Sequence, residues 1–294
     1  METVPLTLRA PAKINLGLEV LRRRPDGFHD LNTLFATVGV EDTLTLLPNE
    51  TGSVECRVEG NPALAAEPDN LVVRAARLVR ERWGTPGLGV SIRLHKAIPA
   101  GAGLGGGSSD AAATLLGLRS LWNLTLDDAD LLALAATLGS DVPFFIHGGL
   151  ALGSGRGEVL EPIDASVPDW WVTLVNPGIH IPTPWAFGAL DRREERQASN
   201  LRAALDCALL EPHSMPRLFV NDFEPPVFAA YPELAAIRQE LYRNGALLAL
   251  MSGSGSTLFG LFPGRSDAER AAIHFGQYWC RVARMLPNRT EQGQ

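Results

Sequence analysis

The sequence predicts an α+β protein, with helices packed on mostly antiparallel sheets. Three observations carry this reading. Stretches alternating with a period of two and stretches with helical spacing both occur, without the regular strand–helix alternation of a doubly wound sheet. The 294 residues are 46% hydrophobic and 20% charged, enough apolar material for one large domain or two ordinary ones. Between a predicted strand and a predicted helix lies the string Pro99-Ala100-Gly101-Ala102-Gly103-Leu104-Gly105-Gly106-Gly107-Ser108-Ser109, with glycine at five of the seven positions 101–107.

Taken in order, residues 6–10 and 13–21 alternate and read as strands, ending in the turn-rich segment 22–27 (RRRPDG). Residues 31–38, 42–47 and 53–58 read as further strands. Asp69-Asn70 is placed to cap a helix from Leu71 to Trp83, in which Leu71, Ala75, Leu78, Val79 and Trp83 keep helical spacing. A strand at 90–95 feeds the glycine string, and 110–118 reads as the helix after it. A second helix runs from Asp127 or Asp128 to Gly139, followed by a sharp break at 140–143. Residues 149–153 and 157–163 read as strands, and a strand at 170–175 opens the second half. A short helix is expected at 185–190, a solvated charge run at 191–196, a helix at 199–210 and irregular chain at 212–226. The remainder reads as a helix at 232–243, strands at 247–251 and 257–262, a last helix at 267–278 and a polar tail. The expected division is 1–160 and 161–294.

The net charge of −7 and pI near 5.4 lack the basic footprint of a nucleic-acid binder. An anionic substrate must therefore be held by local donors rather than by the overall field. Cys56, Cys207 and Cys280 form no CxxC pair, and the histidines form no ligand cluster, so a reducing cytoplasmic setting and no bound metal cluster are expected. No apolar run approaches the ~18 residues of a membrane span, and the amino terminus lacks a leader-like apolar segment. The oligomeric state is not legible.

A glycine loop that opens a helix presents unpaired N–H groups and the positive end of the helix dipole, which suits phosphate. The loop is not a Walker A string, because serine rather than lysine follows Gly107. It contains GxGxxG, but Pro99 separates it from the strand, against a dinucleotide fold. The HRD and DFG strings of protein kinases are missing. Lys13 interrupts an apolar strand, where a lone lysine is commonly an edge or snorkelling residue. Asp141 sits where a turn-forming aspartate is common.

The whole string PAGAGLGGGSSDAAA (99–113) resembles the ATP-binding signature of the GHMP kinases, the galactokinase–homoserine kinase–mevalonate kinase superfamily. PAKINLGLEV (11–20) and MSGSGSTLFG (251–260) are similar to the superfamily's first and third motifs. With DGFH (26–29), LGSDVPFFIHGG (138–149) and IPTPWAF (181–187), the set resembles the branch that phosphorylates a cytidine diphosphate-linked alcohol in the non-mevalonate isoprenoid pathway.

The resemblance implies two α+β domains with the active site in the interdomain cleft. It implies Lys13 and Asp141 as the catalytic pair and the loop from Pro99 to Ser109 on the triphosphate, with Asn70 and Lys96 near adenine. Asn15, Phe28, His29, Phe187, Gly253 and Gly255 fall on the alcohol substrate, with Phe28 and Phe187 stacking on the pyrimidine and His29 reading it. Many relatives carry tyrosine at position 28. Ser108 and Ser109 can also cap the helix, and Asp110 reads as first-turn charge or as a neighbour of Mg²⁺. ATP is the implied co-substrate, with Mg²⁺ expected. Other small-alcohol kinases of the superfamily, or a catalytically silent ligand-binding relative, are the alternatives.

Overall fold

The computed structural model describes residues 4–60, 70–83, 87–165, 168–190 and 195–288. Its first two strands are long. β1 (Leu6–Arg23) runs through the expected gap at 11–12 and pairs β2 (His29–Asn49), which is likewise one strand rather than two. Among the described residues β1 pairs β2 and no other named strand, so Pro11, which lacks an N–H, is tolerated there.

The chain forms two compact units, and β1 and β2 contribute to both. The first unit comprises Met1–Ala12, Glu41–Ala100 and Gly105–His147. In it the second half of β2 pairs antiparallel with β4 (Gly89–His95), from Thr43↔His95 to Asn49↔Gly89. β3 (Val54–Glu59) pairs β4 in parallel, which requires the crossover that α1 (Leu71–Trp83) supplies. The apolar stripe Val72, Val73, Ala75, Ala76 and Val79 buries one face of α1. Asn70 caps it, its Oδ1 accepting from Val73 N at 3.1 Å; Asp69 lies outside the described residues.

α2 (Gly106–Leu121) begins four residues earlier than the alanine pattern suggests, because Gly105 takes the left-handed conformation (φ +68°) and ends the loop there. Ser108 and Ser109 therefore lie inside the helix and do not cap it. α3 (Asp128–Leu138) is capped by Asp127, which accepts from Asp130 N at 2.8 Å. The expected break at 140–143 is found at 139–141, and α4 (Val142–His147) follows it at once, with Pro143 in its first turn.

The second unit comprises Lys13–Val40, Gly101–Leu104 and Gly148–Gln294. The first half of β2 pairs β5 (Leu150–Ser154), which pairs β6 (Val159–Ile163). The boundary expected at 160/161 thus falls inside a strand, and residues 13–40 join the later chain through the β2–β5 ladder. A second sheet has the order β10-β7-β9-β8, all antiparallel: β7 (Trp171–Asn176), β8 (Leu248–Met251), β9 (Leu258–Phe262) and β10 (Trp279–Arg284). Around it lie α5 (Thr183–Leu190), α6 (Leu201–Leu210), α7 (Met215–Leu218), α8 (Glu224–Ala230), α9 (Pro232–Arg243) and α10 (Arg265–Ala272). Leu234, Ile237 and Leu241 of α9 pack with Ala249, Leu258 and Phe262 in one core cluster.

Three expectations fail here. Residues 212–226 hold α7, the start of α8 and a 3₁₀ turn, rather than irregular chain. The last helix stops at Ala272 and a 3₁₀ turn, and Trp279–Arg284 pairs β7 instead. Of the charge run, 191–194 lie outside the described residues. Arg196 is no simple solvated cation: its guanidinium bonds the buried Glu19 at 2.6 Å and Asp222 at 2.8 Å.

Candidate active site

The predicted residues fall on both units and are taken unit by unit. In the second unit, Lys13 is 3% exposed in β1. Its Nζ donates to Asn15 Oδ1 at 2.7 Å and lies 5.6 Å from the centre of the Phe35 ring. Two-residue spacing puts both side chains on one face of the strand. Asn15 is fixed in turn: Oδ1 also accepts from Gly253 N at 2.9 Å, and Nδ2 donates to Thr33 Oγ1 at 2.8 Å. Thr33 donates onward to Gly17 O at 2.7 Å. A buried ammonium thus bonds a neutral amide whose own orientation is set by Gly253 N and Thr33 Oγ1.

The same unit carries residues 101–104 of the glycine string. Lys13 N donates to Leu104 O at 3.0 Å and Thr257 N to Ala102 O at 3.2 Å, and the side chains of Ala102 and Leu104 are buried. Gly103 has φ +79°, and a Cβ there would lie 2.1 Å from Ser252 O. Ser252 Oγ donates to Gly103 O at 2.8 Å. Glycine at 103 is therefore demanded by the 251–257 segment packed against it, before any ligand is considered. Gly253 (φ +57°) presents its N–H to Asn15, while a Cβ on Gly255 would press on Met251 and Ile181.

His29, at the start of β2, stacks on Phe187 of α5, centroids 4.8 Å apart and planes 17° apart; Phe187 meets Phe223 edge-on at 4.9 Å. Phe28 stands apart from this stack. It is 52% exposed, with the Arg156 guanidinium 4.9 Å from its ring centre. Asp26 Oδ1 accepts from Phe28 N at 3.1 Å and pairs with Arg24, shaping the turn that carries Phe28.

In the first unit, Pro99 and Ala100 lead out of β4, and Gly105, Gly106 and Gly107 open α2. By helix geometry the first-turn N–H groups of α2 have no partner within the helix. Lys96 is buried rather than on the surface. Its ammonium bonds Asp42 Oδ2 and, at 2.7 Å, Asp110 Oδ2, with all three side chains buried. Asp42 Oδ1 accepts from Ala97 N at 2.6 Å and Ile98 N at 2.9 Å, fixing the chain as it enters the loop. Among the described residues, Ser109 Oγ and Asp110 Oδ1 are buried and find no hydrogen-bond partner. Asp141 lies half-buried just before α4.

Burial pushes the Asp110 carboxyl up, Lys96 pulls it back and Asp42 pushes it up again, for a net rise from 3.8 to about 7. Lys96 is lowered by burial but raised overall by the two carboxylates. Because Asp110 holds its proton more tightly folded than unfolded, the stability linked to it is full below pH 3.8 and is lost as pH rises through about 7. Asp110→Asn is expected to remove that slope. Between pH 5 and 8, wild type should lose about 2–3 kcal/mol relative to the variant in denaturant unfolding. Parallel stability–pH curves would refute the raised carboxyl.

The sequence reading missed Asp42, Asn221, Glu224 and Ser252. One signal was available for the clusters they build. Of the chain's 26 cationic residues only Lys13 and Lys96 are lysine, and both are buried among hydrogen bonds.

Residues 70–149 match the GHMP kinases N terminal domain and residues 195–278 the GHMP kinases C terminal domain. The chain is 44% identical over 275 residues to a 4-diphosphocytidyl-2-C-methyl-D-erythritol kinase of Prosthecochloris aestuarii, covering 91% of this chain and 92% of that one. It is 42% identical to the protein of the same name from Chlorobium limicola, covering 97% and 98%. A crystal structure of 4-(cytidine 5'-diphospho)-2C-methyl-D-erythritol kinase superposes with a TM-score of 0.82 at 40% identity, covering 95% of this chain and 99% of that one. A homoserine kinase from Cytophaga hutchinsonii shares the fold at a TM-score of 0.75 and 19% identity, covering 98% and 96%. With two α+β domains of GHMP type and this level of identity along nearly its whole length, the chain belongs to the 4-diphosphocytidyl-2-C-methyl-D-erythritol kinases of the GHMP kinase superfamily.

Proposed function

We propose that this chain transfers the γ-phosphoryl group of ATP to the 2-hydroxyl of 4-diphosphocytidyl-2-C-methyl-D-erythritol, releasing ADP. The observation that carries the reading is the buried Lys13 ammonium, bonded to Asn15, which Gly253 N–H holds in turn, on a strand bonded to the glycine loop at Leu104. Phosphoryl transfer needs positioning and charge stabilisation more than covalent chemistry from the protein. The first-turn N–H groups of α2 at Gly106, Gly107 and Ser108 hold the phosphates. Lys13 offsets charge that grows on the transferring oxygens. Asp141 takes the hydroxyl proton as that oxygen bonds the γ-phosphorus and the bond to the β–γ bridging oxygen breaks. His29 and Phe187 offer a flat aromatic surface and a ring nitrogen to a pyrimidine, and Phe28 adds a second exposed face.

Mg²⁺ screens the phosphates in such reactions and is taken to enter with ATP. Oδ2 of Asp110 is committed to the Lys96 ammonium, so only its Oδ1, which has no hydrogen-bond partner among the described residues, is open to a further partner. Among the described residues no group of three His, Cys, Asp or Glu side chains could hold a metal ion. Among the described residues, too, no helix is long and apolar enough to cross a membrane.

A coupled ADP-release assay with the cytidine substrate, homoserine and mevalonate tests the proposal. Turnover with the cytidine compound alone is expected. Comparable kcat/KM for homoserine would instead favour a small-alcohol kinase on the same fold.

A further inference from the structure

Asn221 lies in the stretch the sequence left irregular and is 3% exposed. Its backbone neighbours are joined to β1: Leu18 N donates to Val220 O at 2.8 Å, and Asp222 N donates to Leu18 O at 2.9 Å. Its side chain reaches the other way. Nδ2 donates to Met251 O at 2.6 Å and to Gly253 O at 2.8 Å, while Oδ1 accepts from Phe223 N at 2.9 Å. A carboxamide suits this position, with two donors for two carbonyls and one acceptor for one N–H. An aspartate would set a carboxylate against two carbonyl oxygens, and an apolar residue would take this partner away from three backbone groups. Glu224 completes the grip, its Oε1 accepting from Met251 N at 2.8 Å and its Oε2 from Arg238 at 2.5 Å.

The residue held in this way, Gly253, is the one whose N–H meets Asn15 Oδ1 at 2.9 Å, the oxygen that also receives Lys13 Nζ at 2.7 Å. We infer that Asn221 is a positioning residue: it fixes the backbone at Gly253, Gly253 orients Asn15, and Asn15 sets the place of the Lys13 ammonium. The inference rests on the reading of Lys13 given above. Nothing in it requires Asn221 to touch a substrate. A loose 251–253 backbone would let Asn15 turn and the ammonium drift, which weakens stabilisation of the transition state more than binding of the ground state.

The test compares wild type with Asn221→Ala, Asn221→Ser, Lys13→Ala and the Asn221→Ala/Lys13→Ala double variant. In Asn221→Ala, kcat is expected to fall about 10–100-fold, with both KM values within about threefold of wild type. Asn221→Ser, which keeps one donor, should lose less and safeguards against a misfolded alanine variant. In the Lys13→Ala background, Asn221→Ala should cost less than about threefold, because the group it positions is already gone. A second readout needs no turnover. With ¹⁵N-lysine the chain carries two side-chain ammonium groups, Lys13 and Lys96, assigned through Lys13→Ala. The Asn221 variants should shift the Lys13 signal and leave the Lys96 signal in place. An unmoved Lys13 signal, an unchanged kcat in Asn221→Ala, or a full additional loss in the double variant would each overturn the inference. If the wild-type chain fails to turn over the cytidine substrate, the proposed reaction falls, and the lysine signals still decide the role of Asn221.

Discussion

Asp141→Asn is expected to lower kcat by about 10²–10⁴-fold, the usual worth of a general base. The substitution keeps size and shape and removes only the ability to take a proton near neutral pH. Binding should therefore survive: KM for ATP within about threefold, and an unchanged nucleotide titration in the absence of the alcohol. ADP release at saturating substrate measures the loss. A kcat within tenfold of wild type would remove Asp141 from the role of base and leave positioning as its contribution. Asp141 directly precedes α4, whose Val142, Pro143, Phe144, Phe145 and Ile146 are all buried. That packing fixes the backbone beside the carboxylate, so the variant is expected to fold as wild type does.

Lys13→Ala is expected to lower kcat by about 10²–10³-fold, comparable to losing one charged donor at a developing oxyanion. The more telling variant is Lys13→Arg. Arginine keeps the charge but brings a broad planar fork where a compact ammonium sits, 3% exposed, between Asn15 Oδ1 and the Phe35 ring. Elsewhere the chain uses arginine freely, at 24 of its 26 cationic positions. Lysine at 13 therefore reflects shape as much as charge, and Lys13→Arg is expected to retain less than a tenth of wild-type kcat. Retention of most activity would mean that the position needs only a positive charge. Steady-state kinetics with each substrate varied in turn separates the outcomes, since loss of binding alone would raise KM and spare kcat.

Much of the fold was legible because its signals are local. The period-two runs at 42–47 and 90–95, the helical stripe after Asn70 and the Asp127 cap all act within a few residues of themselves. Errors arose where local pattern and non-local pairing disagree. Trp279–Arg284 is a strand because β7 offers it an unpaired edge, from Trp279↔Asn176 to Arg284↔Trp171. The sequence reading runs a helix to 278 and leaves these residues unassigned. Residues 221–224 look like turn chemistry, and their polar side chains are spent on β1, the 251–253 backbone, Arg196 and Arg238.

The candidate site divides along the same line. Residue types and order along the chain, by themselves, determined the α+β class and the kinase family, and singled out the glycine loop, Lys13, Asp141, His29 and Phe187 as candidates. Only the tertiary structure decided what those groups touch. Lys96, expected near adenine, is bound between Asp42, 54 positions away, and Asp110. Asn15 meets Gly253 across 238 positions, and Gly103 is glycine because Ser252 O would lie 2.1 Å from any Cβ. The reason is physical. A loop, a cap or a strand is stabilised by neighbours in sequence, whereas a buried charge or amide must find its partners wherever the fold delivers them, since leaving one unpaired costs several kcal/mol or about that.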